Sequence, residues 1–224
     1  AVAALRALLG GRRIPESAAA GPPLAELEDL SGRMRTARYG VIAWVAAALD
    51  GGTGELVVGA ICDMLRDLNL RTRFSGLPLA GADNGIGANQ VCTWQTGLPL
   101  RTSFARGHPD HDAWRFDAAR LAESGEADAI VWVSAFRDGD IPFGGEAPVV
   151  ALGTPGSRFS REPEAFIPVG TPGLDHDGQV FRTDGVVALP VRGLRESTLP
   201  PVADVMAALA GAIPARPEPD RRAG

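Results

Sequence analysis

The chain contains no lysine among its 224 residues. Every basic side chain is an arginine, which excludes a lysine Schiff base and a P-loop lysine. A GC-rich genome produces the same bias without any functional cause. Cysteine is scarce too, with only Cys62 and Cys92. No C-x-x-C pair exists, so an iron–sulfur cluster or structural zinc has no sequence support. Both cysteines fall in runs that read as buried helix, where a free thiol acts as a small hydrophobe. Neither carries the basic flanking pattern of a reactive thiolate. The usage suits a reducing cytoplasm. Long apolar runs are missing. The longest, Val41 to Leu49, is too short to span a bilayer. Ala1 to Gly10 contains Arg6 and is followed by Arg12 and Arg13, with no cleavage pattern, so no signal peptide is expected. Positive charge is also short. The net charge is −5 and the pI about 5.2, a balance that argues against nucleic acid as a partner.

What is present describes a soluble globular protein: 45% hydrophobic residues and a mean hydropathy near zero. A chain of this length buries roughly 70% of its unfolded surface and needs no staples. Ala1 to Leu9 has helical periodicity and stops at Gly10-Gly11. Gly21-Pro22-Pro23 opens a second helix, with Leu24, Leu27, Leu30 and Met34 on one face. Val41 to Val45 reads as a fully buried strand of a parallel sheet. Glu55 to Leu68 reads as a helix with a stripe of Leu56, Ala60, Met64 and Leu68, flanked by Ile61 and Leu65. Thr72 to Ser75 reads as the next strand. That order is a βαβ unit with a right-handed crossover.

Further on, Asn89 to Trp94 has helical character and Arg101 to Trp114 reads as a polar loop. Phe116 to Ser124 reads as a short helix stopped by Gly125. Ala129 to Val133, Pro148 to Leu152 and Phe166 to Val169 read as strands. Asp184-Gly185, flanked by strand formers from Val180 to Leu189, signals a hairpin. Thr198 to Pro201 opens a last helix ending near Ala212. The expected fold class is α/β: a Rossmann-like three-layer arrangement with one mostly parallel sheet from Val41, Thr72, Ala129 and Val149, plus a C-terminal hairpin and helix. The expected organisation is N-terminal helices over 1–37, the α/β domain over 38–170, hairpin and helix over 171–213, and a disordered tail over 214–224.

Residues able to carry chemistry are few. Gly51-Gly52-Thr53-Gly54 lies between a strand and a helix, where backbone amides can hold an anion. Its spacing matches neither G-x-G-x-x-G nor a P-loop, and a flexible turn needs the same glycines. A nucleotide binder would use this segment. His108-Pro109-Asp110-His111-Asp112 has ligand types suited to zinc, but no distant further ligand can be named, and a solvated loop accounts for it. His176, in Asp175-His176-Asp177-Gly178, is a weaker candidate for a base; such polar turns occur without function. No serine has a G-x-S-x-G setting. The segment Gly87 to Gly97 concentrates Asn89, Gln90, Thr93, Trp94, Gln95 and Thr96 in one helical stretch. Buried polar side chains must find partners, so this implies either a satisfied network or contacts to a ligand or to another chain. Arg106, flanked by Gly107, adds a group able to form bidentate bonds.

These residues carry a family resemblance. Asn89-Gln90-Val91-Cys92-Thr93-Trp94-Gln95-Thr96-Gly97-Leu98-Pro99 followed by Phe104-Ala105-Arg106-Gly107-His108-Pro109 resembles a stretch of the B subunit of formylmethanofuran dehydrogenase. Arg33 to Val41, Ile167 to Gly170 and Phe181 to Val186 are similar to less specific flanking pieces. The likeness runs from about Arg33 to Arg192. It departs at Leu98 and His108, where the archaeal pattern has tyrosines. The resemblance implies a molybdopterin oxidoreductase fold. It also implies a molybdo- or tungstopterin whose metal is ligated by a cysteine in an N-terminal part that this sequence does not contain. Arg106 matches the family's active-site arginine, and Asn89, Gln90, Trp94 and Thr96 are the cofactor-binding candidates.

The departures resemble the methylotrophic branch of the family, the formyltransferase/hydrolase complex. There the implied chemistry belongs to a zinc amidohydrolase-like A subunit and to the D subunit, a formyltransferase, which assemble with the C subunit. The B subunit is implied to be structural. The expectation is therefore a cytoplasmic member of a complex with no catalytic residue, metal or cofactor of its own, and neither nucleic acid nor membrane as a partner. The alternative is a pterin-dependent dehydrogenase chain whose metal-ligand segment lies outside this sequence.

Overall fold

In the computed structural model of the chain, the described residues are 1–19, 21–49, 53–79, 81 and 83–213. Gly51 and Gly52 of the glycine turn and the tail over 214–224 lie outside them. The chain forms two compact units, one of Ala1–Ala82 with Thr183–Val186 and one of Asp83–Arg182 with Val187–Gly224.

The first unit holds helices α1 (Val2–Leu9), α2 (Leu24–Thr36) and α3 (Gly54–Leu68) and strands β1 (Gly40–Val45) and β2 (Phe74–Leu79). β1 and β2 pair in parallel, with Gly40 opposite Phe74 and Val45 opposite Leu79. A parallel pair cannot be closed by a tight turn, so α3 supplies the crossover. Leu5, Met34, Met64, Leu68 and Phe74 form the core, with Ile42 and Leu65 packed against it. Gly40 is required there, because a Cβ would run into the Phe74 ring.

The buried stripe of α3 is Ile61, Met64 and Leu68. Leu56, expected on that stripe, is 75% exposed: it sits about a third of a turn away from the buried line at 100° per residue. Leu30 of α2 is likewise exposed. The expectation that both cysteines are buried fails: Cys62 is exposed and Cys92 half-buried. Cys62 follows Ile61, one step round the helix from the core face. β1 is not fully buried either. Its residues alternate half-buried and exposed, because helices cover only one face.

In the second unit, β5 (Ile130–Ser134), β6 (Val149–Gly153) and β7 (Ala165–Pro168) form a parallel sheet in that order. The parallel strands therefore form two separate ladders, not the single sheet expected. The central strand β6 is buried along most of its length, as its flanking strands and covering residues require. Ala135, Leu152 and Val169 make a core on which Val202 and Val205 of α6 (Val202–Ala212) pack. The region read as a polar loop contains a short antiparallel pair, β3 (Thr102–Ser103) and β4 (Asp110–His111). α4 spans Gly85–Thr96, and α5 spans Ala118–Glu123, where the Asp117 carboxylate accepts from the Arg120 amide. The expected hairpin forms from β8 (Gly178–Phe181) and β9 (Ala188–Val191).

The segments around that hairpin are locked by charge. The Asp175 carboxylate takes a hydrogen bond from Arg195 at 2.7 Å and from the Thr171 amide at 2.9 Å. Asp177 accepts from the Gly193 amide and pairs with Arg192. The bond from Arg195, then the Thr171 amide, lower the Asp175 pKa to about 2.

Three outcomes follow for stability. Leu152 is 0% exposed, so Leu152→Ala should cost about 3 kcal/mol by lost transfer energy and cavity formation. Leu56→Ala should fall within about 0.5 kcal/mol of the parent in urea unfolding. Because the folded-state pKa of Asp175 is depressed, its stabilisation is complete above the unfolded carboxylate range and is lost as pH falls toward 2. Asp175→Asn should remove that part of the acid-unfolding profile, and an unchanged profile would refute this account.

Candidate functional site

The second unit carries the residues that match the family pattern, Asn89, Gln90, Trp94 and Thr96 on α4 and Arg106 between β3 and β4. α4 begins after two left-handed non-glycine residues, Asp83 (φ 61°) and Asn84 (φ 55°). Such backbone is tolerated best by Asn and Asp. The strain is compensated: Asn84 Oδ1 accepts from the Phe181 amide at 2.8 Å, and Nδ2 donates to the Gln179 carbonyl at 3.3 Å. The side-chain amide thus stands in for a strand neighbour of β8.

The other end of α4 uses the expected amide and hydroxyl groups for closure. Asn89 Oδ1 accepts from the Leu100 amide at 2.9 Å. Thr96 Oγ1 donates to the Cys92 carbonyl at 2.7 Å and accepts from the Leu98 amide at 3.1 Å. Gly97, at φ 79°, ends the helix. Trp94 is exposed and its ring lies 6.0 Å from that of Phe181. Gln90 is half-buried. Of the four cofactor candidates, Asn89 and Thr96 have main-chain partners inside the turn they close, while Gln90 and Trp94 present polar and aromatic surface.

Arg106 lies in the turn between β3 and β4, 62% exposed on its side chain and 3.7 Å from Asp110. His108 and His111 face main-chain carbonyls, of Pro109 and Arg101 respectively. Among the described residues no group of three or more His, Cys, Asp or Glu could hold a metal ion. His176 has Nε2 at 3.2 Å from the Gly170 carbonyl and Nδ1 at 2.7 Å from that of Asp177, so both ring nitrogens are engaged by main chain.

The sequence reading missed a cleft of about 640 Å³ at the carboxyl end of β5, the place where open α/β sheets receive ligands. Asp83, Asn84, Trp132, Ser134, Asp138 and Asp140 are among its lining. The Trp132 Nε1 is buried and has no hydrogen-bond partner among the described residues, although its ring stands edge-on to Phe143 at 5.9 Å. Asp138 accepts from the Thr154 hydroxyl. Asp140 accepts from the Ser160 and Ile141 amides at 3.0 and 2.8 Å, and bonds from Ser160 hold its carboxyl below the ordinary range. Arg137 is held by Asp83 through two contacts of 2.8 and 2.7 Å. The run Ser134 to Asp140 directly after a predicted strand was the available signal.

A molybdo- or tungstopterin does not fit this cleft. Three carboxylates line it against one guanidinium that Asp83 already holds. A phosphate-bearing tail would meet excess negative charge there.

This α/β chain is homologous to the B subunit of a formyltransferase/hydrolase complex and to B subunits of formylmethanofuran dehydrogenases. It is 36% identical over 167 residues to the B subunit of the formyltransferase/hydrolase complex of Methylorubrum extorquens, covering 73% of this chain and 45% of that one. It is 27% identical over 191 residues to the B subunit of the tungsten-containing formylmethanofuran dehydrogenase 2 of Methanocaldococcus jannaschii, covering 83% of this chain and 44% of that one. The crystal structure of the formyltransferase/hydrolase complex from Methylorubrum extorquens with methylofuran contains a similar chain. There the TM-score is 0.78 and the identity 31%, over 94% of this chain and 56% of that one. No family model matches. The chain spans about half the length of the curated relatives it matches.

The Asn84 clamp can be tested alone. Asn84→Ala should cost about 2–3 kcal/mol, through left-handed strain and two lost bonds to β8. Asn84→Gly, which removes only the bonds, should cost about 1 kcal/mol. Hydrogen exchange at the Phe181 amide should quicken in both. Exchange at the parent rate would mean that the side chain does not hold β8.

Proposed function

We propose that the chain is a non-catalytic structural component of a formyltransferase/hydrolase complex. Its pathway is tetrahydromethanopterin-linked one-carbon metabolism, in which formaldehyde is oxidised to formate. Its partners are the amidohydrolase-like A subunit, the C subunit and the D subunit that acts as formyltransferase, and it works in the cytoplasm. The observation that carries this reading is the 36% identity to the B subunit of that complex. The disposition of the polar residues supports it. Asn89 and Thr96 are spent on closing α4, and Arg106 stands in an exposed turn beside Asp110. No helix among the described residues is long and apolar enough to cross a membrane.

The second reading is a molybdo- or tungstopterin-dependent dehydrogenase chain whose metal-ligand segment lies outside these residues. The 27% identity to tungsten-containing enzymes favours it. The excess of carboxylates in the cleft speaks against it.

Metal analysis of the complex purified through this chain from its native cell separates the two. Zinc alone, with amidohydrolase-like and formyltransferase chains present, is the expected result. Tungsten or molybdenum near one per chain would establish the dehydrogenase reading instead. In the assembled complex, Arg106→Ala should leave formyl transfer and hydrolysis within about twofold of the parent, since a surface change away from the chemistry has little energetic effect. A loss of about a hundredfold or more would make Arg106 part of an active site.

A further inference from the structure

The chain has three asparagines, Asn69, Asn84 and Asn89, and each side-chain amide is spent on main chain. Asn69 donates to the Leu65 and Phe74 carbonyls and accepts from the Phe74 amide. Asn89 accepts from the Leu100 amide, and Asn84 holds β8 through Phe181 and Gln179. Their neighbours differ. Asn69 precedes Leu70 and Asn89 precedes Gln90, whose side chains crowd the next main-chain nitrogen. Asn84 alone precedes a glycine.

The two glycines beside Asn84 serve different ends. A Cβ at Gly87 would stand 2.6 Å from both Oδ1 and Nδ2 of Asn84, so glycine there makes room for the amide. A Cβ at Gly85 would meet nothing within 4 Å, and the Gly85 backbone is not left-handed. The fold therefore does not require glycine at 85. Gly85 is exposed, and as the first residue of α4 its amide has no carbonyl partner inside the helix. Asn84 is half-buried and lines the cleft of about 640 Å³ at the end of β5, so water reaches it.

We propose that Asn84-Gly85 is a site of spontaneous deamidation, gated by the bonds that tie the Asn84 amide to β8. The Gly85 nitrogen gives its proton to hydroxide and bonds to Asn84 Cγ. The Cγ–Nδ2 bond breaks, and Nδ2 takes a proton from water and leaves as ammonia. Water then opens the cyclic imide. Cleavage between Cγ and the Gly85 nitrogen gives aspartate. Cleavage between that nitrogen and the main-chain carbonyl carbon of residue 84 gives isoaspartate, with the backbone running through Cγ. The sum is amide and water to carboxylate and ammonium, with no oxidant or reductant.

Ring closure needs rotation within Asn84, and the two bonds to β8 resist it. The reaction therefore waits on local opening. Its products do not re-form the clamp. Aspartate has no N–H for the Gln179 carbonyl and sets a carboxylate oxygen against it, and isoaspartate also lengthens the main chain at the start of α4. The same helix carries Asn89, Gln90, Trp94 and Thr96, so the change reaches the segment of family likeness.

The test incubates the native protein, with the chains that purify alongside it, in mildly alkaline buffer. Peptide mapping by mass spectrometry then follows each asparagine, with electron-transfer fragmentation to separate aspartate from isoaspartate. Asn84 should convert first. Gly87→Ala, which pushes the amide off β8, should quicken that conversion about tenfold. Gly85→Ala, which crowds the attacking nitrogen, should slow it about tenfold. Should Gly87→Ala fail to fold, urea below the unfolding transition opens the clamp instead, and conversion should rise in step with hydrogen exchange at the Phe181 amide. Conversion of Asn69 or Asn89 as early as Asn84 overturns the inference. So does an Asn84 that stays intact in the native protein after the urea-unfolded chain has converted fully. A rate that ignores both the Gly87→Ala change and the opening at Phe181 overturns the gate.

Discussion

Parallel strands impose the constraint on which the rest of this structure depends. Each step from one to the next must travel the length of the sheet, and the natural vehicle is a helix that also covers a face. In the first unit, α3 does both, carrying Met64 and Leu68 over Phe74. In the second, β6 sits between two neighbours, and Leu152 packs with Ala135, Val169 and the valines of α6. Where a strand has neighbours and cover, it is buried; where it lacks cover, as at Val41 and Val45, apolar surface remains open.

The polar side chains serve the same architecture. Asn84 substitutes for a missing strand beside β8, Asn89 and Thr96 finish α4, and Asp175 and Asp177 hold the segment around residues 192–195. Backbone groups left over at helix ends and sheet edges need partners, and short amides, hydroxyls and carboxylates supply them. A concentration of such residues therefore marks a demanding stretch of backbone as readily as a binding site. The cleft at the end of β5 stands apart, because there the buried Trp132 N–H has no partner among the described residues.

Homology joins this architecture to an assembly. The relatives include one chain of a formyltransferase/hydrolase complex and chains of tungsten-containing dehydrogenases. One fold thus accompanies two chemistries, and fold by itself does not choose between them.

Much of the α/β layout was legible in the sequence. Val41 to Val45 and Ala129 to Val133 announce strands by apolar runs between glycine and polar breaks, and Glu55 to Leu68 announces a crossover helix. Asp184-Gly185 marks the hairpin, and the segment Asn89 to Pro109 carries the family likeness. These signals are local, set by backbone preference and periodicity. Tertiary structure alone decided which side of each element is covered, hence the exposure of Cys62, Leu56 and Val41. It alone divided the parallel strands into two ladders and brought Asn84 to Phe181. Those outcomes depend on contacts between residues far apart in the chain, and a local pattern of side chains carries no record of which distant surface it will meet.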